Sequence, residues 1–123
     1  MNGINILLDT NIIIYLLSGD KKLEEILDGK VIIASLMSEM EVLAYPELDE
    51  KNDKIIREFL SKINIVSINE SIKEVAIQMR RKYKVKLPDA IIAATAFFLN
   101  IPLITTDSDF TKIEGLNILK YDL

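Results

Sequence analysis

The chain of 123 residues contains no cysteine and no histidine. Without cysteine there are no disulfides, no thiol nucleophile and no thiolate zinc site, a composition compatible with a reducing cytoplasm. Without histidine, any general base or metal ligand must be a carboxylate, a lysine, a tyrosine or water, with hydroxyls and amides as lesser ligands. An all-oxygen ligand set favours Mg²⁺ or Mn²⁺ over Zn²⁺ or Cu²⁺. Long hydrophobic runs are also missing. The longest apolar stretch, Ala90–Leu99, is about half of the ~20 residues a membrane span needs. Met1-Asn2-Gly3 offers no basic region before an apolar stretch, so no signal peptide is expected. Positive charge is in deficit: the net charge of −4 argues against indiscriminate nucleic-acid binding, although a local cluster of acids would account for much of it. A soluble, cytoplasmic protein is the expectation.

Half of the residues are hydrophobic, which excludes a disordered chain. No linker, repeat or low-complexity segment interrupts the sequence, so residues 1–123 read as one domain. Strands are predicted at Ile4–Leu8, Val31–Ala34, Ile65–Ile68, Leu103–Thr105 and Asn117–Lys120. Helices are predicted at Asn11–Leu17, Lys21–Leu27, Leu36–Tyr45, Asp49–Lys62, Glu70–Tyr83 and Pro88–Phe98. Ile72, Val75, Ala76, Met79 and Tyr83 mark one face of the fifth helix, and Asn69 is a plausible N-cap for it. The last helix is almost wholly apolar and is expected to be central. Strands alternating with helices imply an α/β fold, a parallel sheet covered on both faces.

Four acids sit beside sequence that reads as buried. Asp9 ends the apolar run Ile4-Asn5-Ile6-Leu7-Leu8, and Asp107 follows Pro102-Leu103-Ile104-Thr105-Thr106. Asp89 stands at the start of the last helix, and Glu41 lies within the third. Parallel sheets form their sites beyond the carboxyl ends of strands, where strand order reverses. Asp9 and Asp107 occupy such ends, and Asp89 can face the same crevice. Each acid also has a plain structural reading. Asp9 and Asp107 can cap the helices that follow them. Asp89 suits the positive end of its helix dipole, and Glu41 can be an exposed helical residue.

Together the four favour chemistry. Two unit charges 4 Å apart repel by about 4 kcal/mol at an effective dielectric of 20, so clustered carboxylates call for a counter-ion. A divalent metal removes that repulsion, lowers the pKa of a bound water and stabilises phosphoryl charge. For Glu41 the residue pattern leaves a choice open. Leu36, Met37, Met40, Leu43 and Ala44 define the apolar stripe of its helix, and Glu41 and Glu39 flank that stripe at similar angles.

The segments Leu7-Leu8-Asp9-Thr10-Asn11, Ala34-Ser35 through Glu41-Val42-Leu43, Leu87-Pro88-Asp89-Ala90-Ile91-Ile92-Ala93 and Thr105-Thr106-Asp107-Ser108-Asp109-Phe110 resemble the PIN domain. They are especially similar to VapC-type toxin ribonucleases of prokaryotic toxin–antitoxin pairs. The resemblance runs over nearly the whole chain, in order and at ordinary spacing. It implies a three-layer α/β fold with a mostly parallel five-stranded sheet flanked by helices. It also implies a Mg²⁺- or Mn²⁺-dependent endoribonuclease that hydrolyses phosphodiesters with a metal-activated water, leaving a 5′-phosphate and a 3′-hydroxyl. On that pattern Asp9, Glu41 and Asp89 match the metal-holding acids and Asp107 the fourth, with Asp109 a competing candidate. Thr10 and Asn11 match the polar pair after the first acid, and Thr106 or Ser108 is placed to orient water or phosphate. The resemblance further implies an RNA substrate, a homodimer and a cognate antitoxin that wraps the toxin.

Two other features stand out. Arg80, Arg81, Lys82, Lys84 and Lys86 form the one dense basic run. It reads either as an RNA phosphate track or, more simply, as cations favouring a helix C-terminus. Val42 and Tyr45 fall opposite the apolar stripe of their helix and are expected at the surface, either as ordinary exposed residues or as part of a partner surface. Two alternatives to the nuclease remain: a PIN-like module that binds RNA or protein without catalysis, and a Mg²⁺-dependent phosphatase with Asp9 as nucleophile. The second departs from the usual pattern, because Asn11 stands where a second aspartate belongs.

Overall fold

A computed structural model describes residues 3–122. The start at Met1-Asn2, where the absence of a leader was read, lies outside the described residues. Five strands form one sheet: β1 (Asn5–Leu8), β2 (Val31–Ser35), β3 (Asn64–Val66), β4 (Leu103–Thr105) and β5 (Ile118–Lys120). Their spatial order is β3-β2-β1-β4-β5 and every pairing is parallel. Six α-helices connect them: α1 (Thr10–Leu17), α2 (Lys21–Leu27), α3 (Leu36–Leu43), α4 (Glu50–Ser61), α5 (Glu70–Tyr83) and α6 (Leu87–Leu99). Among the described residues no helix is long and apolar enough to cross a membrane.

The period of two along β1 sends neighbouring side chains to opposite faces. Leu7 packs with Ile33, Leu103 and the inner faces of α5 and α6, including Ile72, Ala76, Met79, Ala93 and Ala96. Ile6 and Leu8 pack on the other side with Ile12, Ile13, Leu23, Val42 and Leu60 from α1 to α4. A strand buried on both faces is continuously apolar, which is why β1 carries no alternation. Chain order reverses at β1, with β2 on one side and β4 on the other. The crevice outside the carboxyl ends of β1 and β4 is therefore the topological switch point.

Most predicted elements are present, and Asn69 caps α5 as expected, accepting the Ile72 amide at 2.8 Å. The third strand is Asn64–Val66 rather than Ile65–Ile68. Its partner β2 ends at Ser35, paired with Val66, so Ser67 and Ile68 have no neighbour to bond. The third helix stops at Leu43, before Tyr45. A 3₁₀ turn at Ser108–Lys112, capped by Asp107, was not anticipated.

Helix α3 differs most from its pattern. Met40 is 54 % exposed, whereas Val42 is buried at 1 %. The inward line is Ser38 and Val42, not the stripe through Met40 and Ala44. Helix α3 packs on α1 beside a polar crevice, so its buried face includes a serine that an apolarity pattern counts as surface. Helix α6 is central through Ala96, but Phe97 and Phe98 emerge half-exposed at its carboxyl end.

Candidate functional site

Asp9 leaves β1 at its carboxyl end and caps α1. Its Oδ1 accepts the Thr10 amide at 2.8 Å, and its Oδ2 accepts the Thr105 hydroxyl at 2.7 Å. Its backbone amide bonds to Ile104 O at 3.0 Å, which ties it to the neighbouring strand. The side chain is buried, with 5 % of the residue exposed. Burial pushes its pKa up, the bonds from Thr105 and Thr10 oppose that, and Asp107 and Glu41 add to it. Capping and convergence are thus not rival accounts of Asp9: the cap bond uses one oxygen and aims the carboxylate into the crevice.

Thr10 carries the next link. Its hydroxyl lies 2.6 Å from Glu41 Oε1 and 2.9 Å from Ser38 Oγ. One hydroxyl has one proton. The stronger arrangement has Thr10 donating to the carboxylate while Ser38 donates to Thr10. Glu41 therefore faces the crevice. Glu39, its sequence rival, lines a different surface hollow with Leu43, Arg57 and Leu60.

Asp107 begins the 3₁₀ turn, where its Oδ1 accepts the Asp109 amide at 2.8 Å. Its own amide donates to Thr105 Oγ1 at 3.0 Å. Asp107 lines the crevice, whereas Asp109 is exposed on the turn. Asp89 occupies the first turn of α6, whose amino end carries a proline. Burial chiefly, then Asp9, Asp107 and Glu41, push its pKa up to about 6, and Lys86 pulls it down.

These residues frame a cleft of ≈ 360 Å³ lined by Asp9, Thr10, Asn11, Glu41, Asp89 and Asp107, with Ile14, Ala44 and Tyr45 along one side. Thr106 and Ser108 do not line it, and Ser108 spends its carbonyl on Thr111. Two buried hydroxyls are not singled out by the sequence: Thr105, which bonds Asp9, and Ser38, which bonds the Thr10 hydroxyl that holds Glu41. Their signal was position: Thr105 two residues before Asp107, and Ser38 one helical turn before Glu41.

Among the described residues every buried side-chain nitrogen or oxygen has a hydrogen-bond partner. No three acidic groups there are gathered closely enough to hold a metal ion by themselves. The donor set nevertheless fits a hard divalent cation: it is all oxygen, anionic and mutually repulsive, and Mg²⁺ commonly takes only one or two carboxylates and keeps several waters. The basic run lies apart from these acids along the end of α5, except Lys86, which precedes α6.

The model of the PIN domain matches residues 6–116. The chain belongs to the PIN-domain family. Among curated relatives, Ribonuclease VapC6 of Methanocaldococcus jannaschii is 36 % identical over 77 residues, covering 62 % of this PIN domain and 49 % of that protein. The chain thus spans about half the length of the curated relative it matches. A toxin-antitoxin complex from Klebsiella pneumoniae contains a chain with 36 % identity and a TM-score of 0.83, covering 96 % of this PIN domain and 99 % of that chain. VapBC2 from Rickettsia felis, bound to a DNA fragment from its promoter, has a TM-score of 0.85 at 20 % identity, covering 97 % and 100 %. That second likeness is one of fold.

Proposed function

We propose that this PIN domain is a Mg²⁺- or Mn²⁺-dependent endoribonuclease and the toxin of a toxin–antitoxin pair. One observation carries the reading: Asp9, Glu41, Asp89 and Asp107, from four separate segments, line one cleft. These four are the candidate metal-holding acids, of which a cation would take one or two directly and reach the others through its waters. The bound cation would supply a more acidic water and neutralise phosphoryl charge. The chain's residues do the positioning. Thr10 and Thr105 hold Asp9 by its two oxygens, and the Thr10 hydroxyl fixes Glu41. Asn11, exposed on the cleft wall, offers an amide to phosphate oxygens. Hydrolysis adds water at phosphorus and breaks the bond to the 3′-oxygen, which takes a proton. The products carry a 5′-phosphate and a 3′-hydroxyl.

The likeness to a toxin-antitoxin complex at 36 % identity supports a cognate antitoxin as protein partner, and the family reading adds a homodimer and a cytoplasmic setting. The phosphatase reading is disfavoured by Asp9 itself: a buried carboxylate with both oxygens hydrogen-bonded is poorly presented as a nucleophile. Mn²⁺ titration followed by thermal melting, with end analysis of cleaved RNA, tests the proposal. Metal-dependent stabilisation and 5′-phosphate ends are expected. No stabilisation and no cleavage would point to a non-catalytic binding module.

A further inference from the structure

Tyr45 bounds the cleft of acids. An apolar groove of ≈ 320 Å³ opens on the other side, walled by Leu17, Val42, Leu48, Ile55 and Ile56 with the amide of Asn52. Ile14 and Tyr45 line both hollows. Tyr45 follows the end of α3, its carbonyl accepts the Leu48 amide at 3.1 Å, and the residue is 58 % exposed. It stands as a partition between an anionic cleft and an apolar one.

We propose that Tyr45 is a specificity-determining residue, stacking on a nucleobase beside the scissile phosphate and directing that base into the apolar groove. The inference rests on the nuclease reading of the acid cleft. Adjacency of the two hollows, which share Ile14 and Tyr45, supports it: a nucleotide with its phosphate at the acids has its base on the Tyr45 side or facing away. Charge supports it too. The chain carries a net −4 and no lysine or arginine among the described residues lines the cleft, so beyond the bound cation and Asn11 phosphate contacts supply little affinity here. Single-stranded RNA is then held by its bases, through aromatic stacking and hydrogen bonds to base edges. An apolar hollow with an occasional amide is the environment in which stacking contributes most, and its volume lies in the range of small-ligand sites, about 300–1,000 Å³.

A single-stranded RNA pool of randomised sequence, cleaved in Mn²⁺ and sequenced at the new ends, tests this with Tyr45→Ala and Tyr45→Phe. The parent should favour particular bases at one fixed offset from the cut, and Tyr45→Phe should keep that preference. Tyr45→Ala should flatten it at that offset and raise KM about 5- to 150-fold, the loss of one stacked base. Its kcat should change little, because a contact to the base and not to the reacting phosphate is felt equally in ground and transition states. An unaltered cleavage profile and KM in Tyr45→Ala overturns the proposal and hands the groove to a protein partner. If the parent itself does not cleave, the nuclease reading fails separately. Fluorescence anisotropy of the labelled pool in Ca²⁺ then decides for Tyr45: weaker binding by Tyr45→Ala supports the stacking role, and equal binding refutes it. Matching thermal melts establish that the exposed substitution leaves the fold intact.

Discussion

The Thr105 hydroxyl donates to Asp9 Oδ2 at 2.7 Å and accepts the Asp107 amide at 3.0 Å. A single buried oxygen thus links the acid that ends β1 to the acid that follows β4. The switch point of the sheet is not merely where two strands diverge. It is where one side chain ties the Asp9 carboxylate to the backbone of Asp107. Thr105→Val keeps the shape and removes both bonds. An unpaired buried oxygen costs about 1–3 kcal/mol, and lost support of a ligating carboxylate typically costs 10–100-fold in metal affinity or activity. Thr105→Ser should restore most of the activity. Manganese titration and thermal melts of the two variants check this.

The metal-free protein should be strained by its own acids. Burial and the neighbouring acids raise the Asp89 pKa to about 6, from the 3.8 of an ordinary aspartate. Between those values the folded state binds more protons than the unfolded one, so stability falls as pH rises through that window and the full penalty stands above it. Asp89→Asn in chelator should therefore melt higher than the parent above pH 6, with the gap closing toward pH 4. Solvent screening limits the gain to the order of 1 kcal/mol, about 4 °C in Tm. A gap that widens on acidification would contradict the assignment.

Metal binding should show the opposite slope. A carboxylate must lose its proton to ligate, so stabilisation of the parent by Mg²⁺ or Mn²⁺ should weaken as pH falls below about 6. Thermal shifts at fixed metal across pH 5–8 measure it, and a flat response would remove Asp89 from the ligand set.

Paired substitutions separate the acids that sequence alone leaves ambiguous. Glu41→Gln and Asp107→Asn should abolish or severely reduce cleavage. Glu39→Gln and Asp109→Asn should leave it within about twofold, because Glu39 lines another hollow and Asp109 is exposed. Steady-state rates for all four variants check the assignment.

Much of this arrangement was legible in the residues. The apolar residues Ile6-Leu7-Leu8 of β1 and Leu103-Ile104 of β4 place Asp9 and Asp107 beyond carboxyl ends, and alternation of strands with helices makes those ends a crevice. What was illegible depends on tertiary contacts. Periodicity assigned α3 a stripe through Met40, yet Met40 is exposed and Val42 buried, because the face toward α1 carries Ser38 and the Thr10–Glu41 bond. A polar buried face has no hydrophobic signature. Asp107 and Asp109 are two residues apart, and only the 3₁₀ turn, in which one carboxylate caps the amide of the other, separates the inward acid from the outward one. Thr105 was read as a strand residue, since nothing local reveals that its hydroxyl reaches Asp9.

On the proposed reading the acid cleft cleaves RNA with a divalent metal. The most direct measurement is cleavage of total cellular RNA by the purified chain in Mn²⁺, beside Asp9→Asn prepared identically. Asp9→Asn removes one charge from a buried site and should melt at least as high as the parent in chelator; thermal melts of both proteins separate loss of activity from loss of fold. Discrete fragments with 5′-phosphate ends from the parent, and none from Asp9→Asn or from the parent in chelator, are the predicted result. Equal cleavage by both proteins, or cleavage that persists without metal, would contradict the account.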